Sequence, residues 1–340
     1  MPFLRFVLHL CPSFIFTTSS SHLMHVFRDP AQFPHLGNAV VTTGTFDGVH
    51  LGHQQILRRL CEAARQSGGP SVVITYWPHP RLVLAPPLSH PEPLDLHLLN
   101  TLDERIEKLA EFGVDYLLIV PFTRELASWT SEEYIQTILL RTVGTRTLVI
   151  GYDHRFGKNR EGGFDYLSQH SGRYGMQVEE IPREDVDAVG VSSTRIRKAL
   201  EAGDVATANR HLGYSYPLTG TVVKGRQLGR TIGWPTANIQ CAEALKLIPA
   251  RGVYAVMATT AAGTHHAAML NIGVRPTVGG NLAQTVEAHL LDFDGDLYDQ
   301  LLTVQFVARL RDEQKFEGLD ALKAQLFQDA EDARRHLLGG

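Results

Sequence analysis

At 340 residues the chain is long enough to bury two hydrophobic cores. Its 44% hydrophobic and 20% charged content is that of a soluble globular protein, and a net charge of −4 gives no basic footprint for nucleic acid. Cys11, Cys61 and Cys241 are odd in number and widely spaced, which argues against a disulfide framework or zinc knuckle and fits the reducing cytoplasm.

In chain order, residues 1–23 are apolar with one Arg, but His9, Cys11 and Pro12 interrupt them and no A-x-A-like cleavage site follows. They fit neither a signal peptide nor a membrane span. They are predicted to be an extension outside either fold, upstream of Met24 as a start, with no membrane partner.

From about residue 38 strand-like and helix-like segments alternate. Short runs rich in Val and Ile predict strands at 39–46, 71–76, 115–120, 146–151 and 177–181. Thr101-Leu102-Asp103-Glu104 and Thr130-Ser131-Glu132-Glu133 read as capping boxes that start helices between them. Strands alternating with helices imply βαβ units and a parallel sheet over residues 24–190. Helical stretches at 193–201 and 204–212 follow, in a helical linker spanning 191–214. From Tyr214 onward, strand-like runs such as "GVYAVMATT" and "LLTVQFVARL" are split by Gly, Pro and Asp-Gly signals. They predict an antiparallel sheet or small barrel over 215–335, closed by a helix at about 318–331.

The first strand ends in "GTFDGVHLGH", Gly44–His53. Gly44 and Gly48 flank a turn at the carboxyl end of that strand, where a parallel sheet places its ligands. Three-residue spacing puts His50 and His53 on one face of the next helix, and Gly52 lets a ligand approach the backbone. A metal would want a third ligand and i,i+4 spacing, and a lone His could simply cap the helix. Two histidines, two glycines and Asp47 at a helix amino terminus favour phosphate. Ser192 and Ser193 can cap a later helix whose first turn presents Thr194 and Arg195 as another anion site. The bland alternative there is an amphipathic helix burying Ile196, Ala199 and Leu200.

"GTVVKGRQLGRTIGWPTANI", Gly220–Ile239, lacks the Walker A order. Gly225 and Gly229 either admit phosphates to the backbone or form hairpin turns. Thr236 and Asn238 share a face if that segment is extended, and their oxygens suit Mg2+. In "TVEAH", Glu287 lies opposite Val286 and Ala288.

These stretches resemble a known family. H-x-G-H is the nucleotidyltransferase signature, and the longer G-x-F-D-G-V-H-x-G-H resembles the adenylyltransferase module of bacterial bifunctional riboflavin kinase/FMN adenylyltransferases. "TYWPHP" (Thr75–Pro80), "GYDHRFGKNREG" (Gly151–Gly162) and "VSSTRIRKAL" (Val191–Leu200) resemble further segments of that module, with His154 where the family usually has Phe. Gly220–Ile239, "LNIGVRPTVGG" (Leu270–Gly280), "TVEAHLLDFDGDLY" (Thr285–Tyr298) and the tail Phe306–Asp329 resemble the riboflavin kinase module.

The resemblance implies an α/β + β architecture: a Rossmann-like nucleotidyltransferase parallel sheet, then a six-stranded antiparallel kinase barrel with a terminal helix. It implies that His50, His53, Ser193 and Arg195 serve AMP transfer from ATP to FMN, with Gly44, Phe46, Asp47, Gly48, Gly52, Asp153 and Thr194 around the nucleotide. It implies Glu287 as the base for riboflavin phosphorylation, Gly225 and Gly229 at phosphates, Thr236 and Asn238 at Mg2+, and His79 and Arg311 at the flavin. Riboflavin, FMN and ATP are then the small-molecule partners, with no nucleic acid, and the chain a monomer or weak homo-oligomer. One live domain beside a dead one, or a non-catalytic flavin-binding regulator, are the alternatives.

Overall fold

The computed structural model describes residues 13–17, 23–84, 96–182, 190–225, 227–276 and 282–339. The expectations for Arg226 within the glycine-rich stretch and for 277–280 of the Leu270–Gly280 segment lie outside them. The chain forms two compact units: residues 1–96 with 100–191, and residues 97–99 with 192–340.

In the first unit β1 (Ser13–Thr17), β2 (Leu23–Phe27), β3 (Ala39–Thr43), β4 (Ser71–Trp77), β5 (Tyr116–Pro121), β6 (Thr145–Gly151) and β7 (Gln177–Ile181) form a sheet in the order β1-β2-β5-β4-β3-β6-β7. All neighbours from β2 to β7 pair in parallel, and β1 pairs antiparallel with β2. Successive side chains on a strand face opposite ways, and the strands feed two cores accordingly. Val40, Val73, Leu117 and Val149 join Leu57, Leu60 and Cys61 of α1 (Leu51–Ser67) and Ile106 and Leu109 of α3 (Leu102–Ala110). Their neighbours Val41, Val72, Leu118 and Leu148 join Ile135, Ile138 and Leu139 on the other face. With both faces covered, β3 has no exposed position, which is why it reads as a continuous apolar run.

The Thr101 capping box forms as predicted and starts α3, with the Thr101 hydroxyl accepting from Glu104 N–H and the Glu104 carboxylate accepting from Thr101 N–H. The Thr130 box likewise starts a short helix, which then widens into π-helical turns over Ile135–Val143. Two elements depart from the sequence reading. Residues 1–23 were expected outside both folds, yet Ser13–Thr17 forms the edge strand β1; its aromatic and β-branched residues suit a strand, and pairing covers the open edge of β2. β2 itself carries no helix-strand alternation signal, and only its parallel pairing with β5 reveals it.

The second unit opens with α7 (Ser193–Glu201) and α8 (Val205–Leu212). Its barrel closes in the order β10-β11-β12-β9-β8-β13, every neighbour antiparallel. The strands are β8 (Tyr216–Val223), β9 (Ala237–Gln240), β10 (Gly252–Thr260), β11 (His265–Pro276), β12 (Leu282–Leu290) and β13 (Leu301–Arg311). Alternate residues fill the interior, such as Tyr216, Leu218 and Val222 on β8. The terminal helix α10 (Leu319–Leu338) seals Ala255 and Met269 beneath Ala330 and Ala333, and runs past the predicted end at 331. The segment 191–214 is not a free linker. Asn209 donates to Phe306 O and accepts from Tyr216 N–H, and Ala250 N–H donates to Leu200 O, so these helices belong to the barrel unit.

Candidate active sites

β3 lies between β4 and β6, the point where the chain's strand order reverses, and its carboxyl end opens into the turn before α1. Gly44 donates to Ile74 O at 3.0 Å, and an added Cβ there would lie 3.2 Å from the Phe46 ring. The turn then takes left-handed backbone angles at Phe46 (φ 48°), Gly48 (φ 86°) and Val49 (φ 34°). For the two side-chain-bearing residues this costs about 1–3 kcal/mol each, a strain retained only where surroundings enforce it. Phe46, Asp47 and Val49 are all buried, Asp47 Oδ1 accepts from Asn100 N–H, and the Gln54 amide donates to Val49 O.

The turn delivers His50 as the N-cap of α1: its Nδ1 accepts from His53 N–H at 3.3 Å. The capping reading and the ligand reading are therefore compatible. A neutral His50 that accepts at Nδ1 carries its proton on Nε2, where it is a donor. The two imidazoles stack at 3.7 Å between centroids and 13° between planes, with Phe46 5.1 Å from His53. His53 Nδ1 is buried without a hydrogen-bond partner among the described residues. Burial pushes the His53 pKa well below 6.5, and the nearby His50 and Arg105 add to the shift, so His53 is held uncharged.

Adjacent strands bring other predicted residues to the same sheet edge. After β4, the cis Trp77–Pro78 bond leads to buried His79, which caps a four-residue helix by accepting from Arg81 N–H. After β6, Asp153 is exposed beside Gly151, and His154 keeps an aromatic contact with Phe156 at 5.7 Å. Ser193, Thr194 and Arg195 form the first turn of α7 in the second unit, where the Ser192 hydroxyl accepts from Arg195 N–H. Sequence reasoning missed Arg105. It sits one position before Ile106 on an amphipathic helix, where a charged residue reads as solvent-facing, yet its side chain is completely buried.

On the barrel, β9 and β12 pair Asn238 with Glu287, and the Thr236 hydroxyl donates to Glu287 Oε2 at 3.3 Å. Val286 and Ala288 point into the barrel, so Glu287 faces out of it. An added Cβ on Gly225 would lie 2.3 Å from Asn238 Nδ2, so the backbone of this loop packs onto that amide. Gly229 has a packing reason of its own: a Cβ there would strike Trp234 O at 2.1 Å. Next to Glu287 on the same strand face, His289 Nδ1 donates to Pro235 O at 2.7 Å. Burial pushes its pKa down. Trp234, His289, Leu291 and Phe327 line a cavity of about 410 Å³, with Lys323 and Arg334 also at its wall. Trp234 meets Phe327 edge-on at 5.2 Å.

Arg311, expected at the flavin, is engaged elsewhere. Its Nε and Nη2 clamp the buried Asp329 carboxylate at 2.8 and 2.6 Å, and Nη1 donates to Asp312 O. The partner lies on the next element, 18 residues away, which no local pattern signals. The fork ties α10 to β13.

A ligand edge at the switch point of a parallel sheet, joined to a closed six-stranded barrel, defines a two-domain nucleotide enzyme. The family described as FAD synthetase matches residues 33–195 and the family described as riboflavin kinase matches residues 212–337. The chain is 41% identical over 302 residues to a bifunctional riboflavin kinase/FMN adenylyltransferase of Pseudomonas fluorescens, covering 88% of this chain and 94% of that protein. It is 38% identical to the Escherichia coli K12 protein of the same name, with 92% and 96% covered. The Bacillus subtilis one is 33% identical, with 94% and 98% covered. A solved structure described as a macrolide-efflux protein from Streptococcus pneumoniae superposes with TM-score 0.81 at 32% identity, covering 92% of this chain and 98% of that one. Among the described residues no helix is long and apolar enough to cross a membrane. The chain belongs to the bifunctional riboflavin kinase/FMN adenylyltransferase family.

Proposed function

We propose that the barrel unit phosphorylates riboflavin with ATP and that the first unit transfers AMP from a second ATP to the resulting FMN, releasing pyrophosphate. The observation that carries this reading is the contrast in functional groups: a carboxylate beside hydroxyl and amide oxygens on the barrel, and stacked imidazoles at a helix start on the sheet.

A primary alcohol must lose a proton as it attacks phosphorus, so Glu287 accepts the proton of the ribityl 5′-hydroxyl while the γ-phosphoryl group leaves ADP. Thr236 Oγ1 and Asn238 Oδ1 fit the magnesium that accompanies ATP. Both are hard oxygens, and the Thr236 hydroxyl spends its proton on Glu287, leaving lone pairs for a cation. Among the described residues no cluster of three or more His, Cys, Asp and Glu is placed to hold a metal ion. When bound, magnesium draws charge from the phosphates. The aromatic cavity under α10 suits the flavin ring, and Arg311 serves it by holding the helix that carries Phe327.

FMN already carries an ionised phosphate nucleophile and needs no base. His50 and His53 supply N–H donors and the amino end of α1 its free N–H groups to the charge that builds on the α-phosphate and pyrophosphate. Gly44, Phe46, Asp47, Gly48 and Gly52 shape the turn around the nucleotide, with Asp153 beside it after β6 and His79 after β4 on the flavin side. Ser193, Thr194 and Arg195, a capped helix start with a guanidinium, are assigned to adenylyl transfer by the family resemblance. A reducing cytoplasm suits this work, and three widely spaced cysteines in the sequence are in keeping with it.

The test is a time course with riboflavin, ATP and magnesium, with flavins separated by chromatography. FMN followed by FAD is expected. FMN that accumulates without FAD would show a silent first unit, and unchanged riboflavin would leave only a flavin-binding protein.

A further inference from the structure

The strained turn before α1 is tied at two points to one buried side chain. Arg105 Nη1 donates to Thr75 Oγ1 at 3.5 Å, and that hydroxyl donates to Thr45 O at 3.3 Å. Arg105 Nη2 lies 4.0 Å from Asp47 Oδ1. Thr45 and Asp47 bracket Phe46, the first left-handed residue of the turn. The guanidinium also lies 5.7 Å over the Trp77 ring.

An arginine stays charged at any working pH, and burying it is unfavourable unless the charge is used. Arg105 has 0% side-chain exposure, and its Nε and Nη2 lack hydrogen-bond partners among the described residues. A core helix position beside Ile106 and Leu109 would otherwise take an apolar residue. Among the described residues, the charged or titratable groups that face it are Asp47 from the turn and His53 from α1, and His53 in turn is faced by His50, stacked on it at 3.7 Å; Thr75 and Trp77 from β4 are uncharged, and Glu104 is turned to the cap at Thr101.

We propose that Arg105 is a positioning residue for adenylyl transfer: its guanidinium holds Thr45, through the Thr75 hydroxyl, and lies against the Asp47 carboxylate, keeping the turn in the register that presents His50 and His53. It reaches no substrate itself, being enclosed. The guanidinium reaches Thr75 on β4 through Nη1 while Nη2 faces the Asp47 charge in the turn; a lysine keeps the charge as a single point and cannot span both positions in the same geometry. The inference rests on assigning adenylyl transfer to the histidine turn.

The experiment assays the full chain with supplied FMN and ATP, using riboflavin phosphorylation by the same preparation as the measure of intact protein. In Arg105→Met, kcat for FAD formation is expected to fall about 10²-fold with KM changed far less, the signature of misplaced groups. The acid limb of its pH profile moves to higher pH, because the charge opposing His53 protonation is gone. In Arg105→Lys the rate falls about tenfold while the acid limb stays in place. Should Arg105→Met fail to fold, the lysine variant alone decides: FAD formation at the parental rate overturns the proposal. A folded Arg105→Met that loses rate with no movement of the acid limb also overturns it, leaving a structural role only. His53→Ala, run alongside, separates the two layers. If it keeps FAD formation the site assignment falls, whereas if it loses FAD formation and Arg105→Met does not, only the role of Arg105 falls.

Discussion

The two units handle similar phosphate chemistry with opposite equipment. The sheet unit offers stacked imidazoles at 3.7 Å on a helix amino terminus, and the only carboxylate in its turn, Asp47, is buried against backbone N–H and a guanidinium. The barrel unit offers Glu287 with a hydroxyl donor at 3.3 Å, facing out of the barrel. The nucleophile explains the difference: a phosphate monoester arrives deprotonated, and an alcohol does not. A site is thus equipped for the proton its substrate still holds.

The comparison breaks most sharply at Glu287. Glu287→Gln is expected to cut riboflavin phosphorylation by about 10²–10⁴-fold, the range of a lost general base, while supplied FMN is still converted to FAD. Chromatography of the two half-reactions checks it, and an unchanged kinase rate would remove Glu287 from the role. The reciprocal change, His53→Ala, should cost FAD formation about 10²–10³-fold, as loss of a charge-stabilising donor does, and leave FMN formation intact.

Smaller effects sharpen the picture within each unit. Gly225→Ala places a Cβ 2.3 Å from the Asn238 amide, so it should raise KM for magnesium-ATP in the kinase assay about tenfold and spare adenylylation. Asp329→Ala removes the partner of Arg311 on a helix that seals the barrel; a loss of about 3 kcal/mol is expected in denaturant unfolding, at the low end for a buried pair because Arg311 retains some exposure. Its kinase activity should fall through weaker flavin binding rather than slower chemistry.

The smallest effect is a pH dependence. The folded pKa of His53 lies below 6.5, so above that value both folded and unfolded chains hold neutral imidazole and His53 contributes no slope. Below it the unfolded chain takes up a proton that the folded chain refuses, and stability falls by at most about 1.4 kcal/mol per pH unit until the folded pKa is reached. Calorimetry between pH 7 and 5 should show a flatter curve for His53→Gln than for the parent.

Much of this was legible along the chain. The alternation of Val- and Ile-rich runs with capping boxes located β3 to β7 closely, because strand burial and helix starts leave local signals. The glycines and histidines of Gly44–His53 announced a turn into a helix start, and "TVEAH" announced the outward face of Glu287. β1 and β2 escaped notice because their place depends on pairing with strands far along the chain. The helices over 193–212 were found to within one residue, Asp204 being the cap rather than the first turn of the second, but the sequence held no sign that they pack on the barrel.

By itself, then, the amino-acid sequence determined the inventory: which groups carry protons, which turns need glycine, and which segments alternate as strand and helix. Those properties are set by residues a few positions apart. Tertiary structure alone decided where charge is buried. It put Arg105 inside the sheet unit against Asp47, closed Arg311 on Asp329, and made His50 the cap of α1. Burial and ion pairing depend on neighbours brought together from distant parts of the chain, and the electrostatics of both sites follow from that enclosure.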